Sequence, residues 1–234
     1  MSQVEERALR EADLLQAGGL TGLLVENYGD VPFFPGPAPA ETVAAMAVVV
    51  GKVVGASHVP VGVNLLRNDA LGALAVAQAA GARFIRVNVH TGCMFTDQGL
   101  LQGTAHETLR RRTSLGASTA ILADVFVKHA TPPQGATLEG AARDTWHRGL
   151  ADGLILTGIE TGEPPAGRDV HRVKAALPGE APVWIGSGAT PETASGLLEV
   201  ADGIIVGSAL QEEGRAGGGV VSSRVAAFMN AVGR

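Results

Sequence analysis

The stretch from Pro182 to Leu210 contains two short apolar runs, each ending in a turn stripped to Gly, Ser and Ala. Pro182–Ile185 reads as a strand and Gly186-Ser187-Gly188-Ala189 as the first turn. Thr190 is placed to cap a helix, with Pro191 at its first position and Glu192 in its first turn. Gly203–Val206 reads as a second buried strand and Gly207-Ser208-Ala209 as the second turn. Turns without bulky side chains leave backbone N–H groups open to the close approach of an anion. A single turn of this kind is explained well enough by tight geometry. Two of them in consecutive βα units are what the last units of a (β/α)8 barrel present to a phosphate. Gly186, Ser187, Gly188, Gly207 and Ser208 are therefore the expected phosphate ligands.

The rest of the chain alternates in the same way. A helix over Gln3–Ala17 stops at Gly18-Gly19, and a strand over Gly22–Asn27 runs into a Pro-rich loop, Tyr28–Pro37. A helix of about Pro39–Ala56 precedes a strand over Pro60–Leu66, and Asn68-Asp69 introduce a helix to Ala80 that Gly81 ends. Further strands are expected over Phe84–Val89, Ala120–Phe126 and Gly153–Thr157. Helices are expected over Ala105–Leu115, Thr137–Arg148, Arg168–Leu177 and Val220–Val232. His90–Gly99 and Gly158–Gly167 read as loops. Ala151–Gly158 is echoed by Ala201–Ser208, each placing Ala-Asp-Gly before a buried strand. Seven strands alternating with eight helices predict a parallel sheet, and a TIM-type (β/α)8 barrel short of its first strand fits better than a doubly wound sheet. No G-x-G-x-x-G follows the first strand, which excludes the dinucleotide-binding reading.

At 234 residues the chain has the length of one barrel domain, expected over 1–234. A formal net charge of −5 argues against a nucleic-acid surface. Arg110-Arg111-Arg112 ends a predicted helix, where positive charge suits the dipole. The single cysteine, Cys93, allows no internal disulfide. With no apolar leader at Met1–Arg10 and no run long enough to span a bilayer, a soluble cytoplasmic protein is expected. The outer face of such a barrel suits self-association, so a homo-oligomer is expected too.

In a parallel barrel the strands should be apolar, so polar residues at their C-terminal ends carry the information. Glu26-Asn27 end the first strand, Asn64 sits in the second, and Arg86 and Asn88 share a face of the third. Asp124 lies in the fourth with Lys128 four residues on, Thr157-Gly158 end the fifth, and Ser187 follows the sixth. Period-two alternation puts Leu24 with Glu26, and Leu122 with Asp124 and Phe126. Carboxylates and cations brought together at a barrel mouth either plug it as a salt-bridged ring or form a site. In the second case Asp124 or Glu26 moves protons and Lys128 or Arg86 stabilises negative charge, and Asn64 and Asn88 count with them as catalytic residues. Lys128 is one of three lysines, the others being Lys52 and Lys174 on predicted helices, and a Schiff-base role would require burial. A metal site built from Glu26, Asp69, Asp124 and His129 has no diagnostic spacing, and Asn68-Asp69 read better as a helix cap. No cofactor or metal is expected, and His90, His106, His147 and His171 show no pairing.

With these residues in view, the sequence resembles the BtpA/SgcQ family. The resemblance rests on Val25–Phe33, Pro60–Asp69, Phe84–Val89, Thr96–Gly99 and Ile121–Ala130, together with the turns Gly186–Gly188 and Val206–Ser208. Members of that family begin with a strand and a Pro/Gly-rich turn, whereas this chain starts at the helix. The resemblance implies a ribulose-phosphate-binding type of barrel, with links to photosystem I biogenesis and to sugar metabolism. It matches the glycine turns to phosphate-gripping turns, and Glu26, Asn64, Asn88, Asp124 and Lys128 to the family's polar strand ends. The expected function is a lyase or isomerase acting on a phosphorylated sugar-like metabolite, with Thr157 and Gly158 touching substrate. Cleavage of a nucleoside or glycosidic bond, and a non-catalytic assembly factor that keeps the pocket, are the other readings.

Overall fold

The computed structural model describes residues 1–158, 167–179 and 181–233, so the interior of the loop expected over 158–167 lies outside the described residues. Helix α1 (Ser2–Ala17) leads through β1 (Leu23–Glu26), α2 (Ala40–Ala56), β2 (Val61–Asn64) and α3 (Ala70–Ala80) to β3 (Phe84–Val87). Next comes an antiparallel hairpin, β4 (Cys93–Thr96) and β5 (Gly99–Gln102), where the sequence predicts only a loop. The chain continues with α4 (Ala105–Ser114), β6 (Ala120–Val125), β7 (Ala130–Thr131), α5 (Leu138–Arg143), β8 (Gly153–Leu156) and α6 (Gly167–Ala176). It closes with β9 (Val183–Ile185), α7 (Pro191–Val200), β10 (Gly203–Ile204) and α8 (Ser222–Ala231). The helix expected over 137–148 ends at Arg143 and gives way to a π-helical turn, Asp144–Arg148.

Seven strands form one parallel sheet in the order β1-β2-β3-β6-β8-β9-β10, curled with the helices on its outer side. This is the predicted TIM-type architecture. Among the described residues β1 and β10 do not pair, so they are the two edges of the sheet. Helix α1 packs against both α2 and α8, and its Leu15 touches the cores at both ends of the sheet. Arg7 of α1 donates from Nη2 to the carbonyls of Gly217 and Gly218, at 2.9 and 2.6 Å. Val225 of α8 sits so close to Gly18 that no larger residue fits there. The N-terminal helix thus straps the two edges together from outside.

Alternation along the strands divides the side chains into two sets. Val61, Val63, Ile85, Val87, Ala123, Val125, Leu154, Leu156, Val183 and Ile185 face the helices and are almost fully buried. The opposite set faces the concave side. Its lower layer is filled by neighbouring pairs of one large residue and one glycine: Phe84 over Gly62, Leu122 over Gly153 and Trp184 over Gly203. The layer above it is polar. The Ala-Asp-Gly echo has a matching cause, because Asp152 and Asp202 each close a reciprocal pair with the strand before them. Ile121 N–H donates to Asp152 and Val183 N–H to Asp202, both at 2.8 Å, while each aspartate's own N–H returns to the same residue's carbonyl.

A Cβ at Gly153 would lie 2.8 Å from Leu122 Cδ2. Gly153→Ala is expected to lower stability by about 1–3 kcal/mol in urea unfolding, through overpacking. Shortening the neighbour in the double variant Gly153→Ala/Leu122→Val should recover part of that loss, and simple addition of the two single losses would rule out the layer packing.

Candidate active site

The polar layer sits at the C-terminal ends of β1, β2, β3 and β6. Arg86 on β3 is 6% exposed and reaches across to Asp124 on β6, whose side chain is wholly buried. Nε donates to Oδ2 at 3.0 Å and Nη2 to Oδ1 at 2.9 Å, a bidentate pair that fixes both planes. Asn88, just past β3, adds a third hydrogen bond from Nδ2 to Asp124 Oδ2 at 2.8 Å. On the other side Arg86 Nη1 lies 3.7 Å from Glu26 Oε1, which also accepts from Asn64 Nδ2 at 2.9 Å. Glu26, Asn64, Arg86, Asn88 and Asp124 thus form one connected network. Burial alone would lower the Arg86 pKa, and the Asp124 carboxylate more than reverses it.

Lys128 follows β6 after a backbone reversal in which Phe126 takes φ +58, a region an aromatic residue rarely adopts. Its ammonium is half-buried and has no ion pair among the described residues. Burial and the nearby Arg86 charge lower its pKa from the ordinary lysine value. Thr157, after β8, donates from Oγ1 to Phe126 O at 3.2 Å and helps hold this reversal; Gly158 beside it is buried. A cavity of about 370 Å³ opens next to Asp124 and Asn88, walled by Thr91, Cys93, Phe126 and Asp144. The Asn88 Oδ1 atom is buried without a partner among the described residues.

The two glycine turns follow the adjacent strands β9 and β10. A side chain at Gly186 would collide with Ile155 and Thr157 and would come within 3.1 Å of Arg86 Nη2. The glycine is therefore required by the Ile155 side chain of the neighbouring strand and the Thr157 side chain just past it, with the arginine that crosses the barrel close behind. Its own N–H is donated to Leu156 O at 2.7 Å, which extends the β8–β9 pairing. The N–H groups of Ser187, Gly188 and Ala189, and those of Val206, Gly207 and Ser208, have no acceptor among the described residues. Gly188 stands at φ +79, and the Ser187 hydroxyl is buried without a partner among the described residues. Thr190 caps α7 as expected, its N–H donating to the Thr193 hydroxyl at 3.0 Å.

Asp69 lies outside the network and caps α3, accepting from Gly72 N–H at 2.8 Å and from Ala38 N–H at 2.9 Å. Asn68 instead grips Val89, accepting its N–H at 2.7 Å and donating to its carbonyl at 2.9 Å. Among the described residues no group of three or more His, Cys, Asp and Glu is placed to hold a metal, and no helix is long and apolar enough to cross a membrane. The sequence reading passed over Arg67, which is 7% exposed at the mouth and donates from Nη2 to Lys128 O at 2.8 Å. Its position just beyond the end of a strand was the available signal. The reading also missed that the hairpin belongs to this end of the barrel. There β4 pairs with β7, and His90, beneath the hairpin, donates from Nε2 to Gly149 O at 2.8 Å.

Removing one partner of a buried ion pair leaves an uncompensated charge. Asp124→Leu is expected to cost about 3–5 kcal/mol in urea unfolding, while Arg86→Met/Asp124→Leu should fall within about 1–2 kcal/mol of the wild type. Equal losses in the two proteins would show that the pair does not act as a unit.

Comparison with known proteins bears on the family and the fold. A protein described as Photosystem I biogenesis protein BtpA, from Synechocystis sp., is 47% identical over 232 residues, covering 99% of this chain and 80% of that protein. An uncharacterized protein of Pyrococcus furiosus is 42% identical over 213 residues, covering 91% of this chain and 79% of its own. Among solved structures, thiamine phosphate pyrophosphorylase from Pyrococcus furiosus superposes with a TM-score of 0.62 at 15% identity, covering 97% of this chain and 88% of that one. Phosphoribosyl anthranilate isomerase from Thermus thermophilus gives 0.61 at 14% identity, over 96% and 94%. At these identities the structural matches speak to the fold alone. The family model described as the BtpA family matches residues 1–234, and the chain belongs to that family.

Proposed function

We propose that this protein is an enzyme that binds a phosphorylated sugar-like metabolite and carries out lyase or isomerase chemistry on it. The observation that carries the reading is the buried Asp124–Arg86–Glu26 network, set at the C-terminal mouth of the barrel beside two turns with uncommitted N–H groups. Barrels of this type bind and react at that face. The superposable enzymes whose names mention phosphate or phosphoribosyl compounds support the same class of ligand.

In this reading the N–H groups of Ser187–Ala189 and Val206–Ser208 hold the phosphate, with Gly186 clearing the path. The roles at the mouth divide by how committed each group is. Asp124 accepts three hydrogen bonds and has no exposed surface, so it holds Arg86 and Asn88 in place. Glu26 keeps 28% of its side chain exposed and has an oxygen without a partner among the described residues, so it is the group to move a proton. Lys128, with its lowered pKa, serves as a second proton carrier or as an amine nucleophile. Arg86 stabilises negative charge as it develops on the substrate. Thr157 and Gly158 border the path between phosphate and reacting carbon.

A second reading has a specific observation behind it. The name of the Synechocystis relative, Photosystem I biogenesis protein BtpA, fits an assembly factor that keeps the barrel pocket. Ligand binding separates the two readings. The experiment is calorimetric titration with inorganic phosphate and a panel of sugar phosphates, repeated with Gly207→Asp. A Cβ at Gly207 meets nothing within 4 Å, so that variant adds a charge without a collision, which Gly188→Asp at φ +79 would not achieve cleanly. Saturable binding of one sugar phosphate, competed by phosphate and weakened at least tenfold in Gly207→Asp, is expected. A folded wild type that binds none of them would overturn the enzyme reading.

A further inference from the structure

Five charged side chains meet at the barrel mouth: Arg67, Arg86 and Lys128 against Glu26 and Asp124. The two carboxylates are both taken up by Arg86, at 2.9 Å from Asp124 and 3.7 Å from Glu26. Arg67 and Lys128 have no ion pair among the described residues, and the only hydrogen bond of the Arg67 guanidinium goes to the Lys128 carbonyl. Asp97, exposed at the turn of the β4–β5 hairpin, is a further carboxylate whose field reaches Arg67, but it makes no ion pair with it. A guanidinium that is 7% exposed and has no direct ion pair among the described residues is a costly arrangement, because the carboxylates that act on it do so only from a distance. Burial, the largest influence on each, lowers the pKa of both Arg67 and Lys128, so the protein's own carboxylates do not make up for lost water.

We propose that Arg67 and Lys128 form a second anion site, separate from the glycine turns, that takes a carboxylate group of the ligand. A planar guanidinium suits a carboxylate in a two-point contact, and the lysine adds a mobile charge beside it. A second feature of the same mouth points to a ligand independently. Asn88 is 3% exposed, its Nδ2 is committed to Asp124, and its buried Oδ1 awaits a donor such as a hydroxyl. A carboxylate on Arg67 and Lys128, a hydroxyl near Asn88 and a phosphate on the turns together describe a phosphorylated hydroxy acid. For its phosphate this class of compound rests on the function proposed above; the carboxylate site does not.

The test is calorimetric titration with oxalate in phosphate-free buffer, with inorganic phosphate titrated separately. The wild type is expected to bind one oxalate per chain. Arg67→Gln and Lys128→Gln should each weaken oxalate at least tenfold, the scale of losing a charge-assisted contact, while leaving phosphate binding within about twofold. Gly207→Asp should do the reverse. Thermal melts establish that each variant is folded. Should Arg67→Gln fail to fold, Lys128→Gln carries the test, because its side chain is only half-buried. A wild type that does not take up oxalate, or folded variants that bind it as the wild type does, overturn the proposal. If oxalate behaves as expected and phosphate fails to bind, the phosphate reading falls and the carboxylate site stands.

Discussion

The polar layer at the C-terminal mouth of this barrel depends on one buried guanidinium. Arg86 projects from β3 into the concave face of the sheet, where a lone charge would not survive, and the surrounding sequence answers it strand by strand. Asp124 on β6 meets it in a bidentate pair, Glu26 on β1 stands at its other side, and the turn after β9 passes close to it at Gly186. Asn64 and Asn88 then orient the two carboxylates. A buried pair of this kind is poor evidence for extra stability, because desolvation offsets most of the attraction. It does hold several polar groups at fixed distances in a place shielded from water, which is what a reacting site needs.

The layers below and around this pair explain why it stays in place. Three large residues, Phe84, Leu122 and Trp184, each lie over a glycine of the neighbouring strand, so the floor under the network is filled without a plug of long side chains. Paired side-chain and backbone bonds at the other end of the strands fix the register, with Asp152 and Asp202 as the fasteners. At the mouth, Asn27 accepts from Leu66 N–H at 2.7 Å and Asn68 grips Val89, so the loops after β1, β2 and β3 are tied to one another. The lower structure is apolar and rigid and the upper is polar and hydrogen-bonded, a division that suits binding on one face only.

Much of this was legible in the sequence. The seven apolar runs, their spacing by amphipathic segments and the polar residues at their C-terminal ends were enough to place Glu26, Asn64, Arg86, Asn88 and Asp124 on one surface. Period two did the work, since a residue two along from an inward side chain also points inward. The hairpin was not legible. Its strands are four residues each, its turn is Asp97-Gln98 without the Asn-Gly or Asp-Gly signal, and Phe95 and Leu100 face solvent, so no alternation marks it. Arg67 was passed over because an arginine beside a strand usually lies in solvent, and only the tertiary fold shows it covered. Gly186 was read for its freedom to approach an anion, yet the structure gives it a second cause in the bulk of Ile155 and Thr157 beside it. Local pattern reveals which residues face inward; it does not reveal which of them need room.

The measurement that bears most directly on this account is a crystal structure of the protein grown with tungstate, a phosphate mimic with a strong anomalous signal. The account predicts an ion held by the N–H groups of Ser187–Ala189 and Val206–Ser208, with the Arg86–Asp124 pair unchanged beside it. Empty turns in a well-ordered barrel, or an ion bound only on the outer helices, would contradict it.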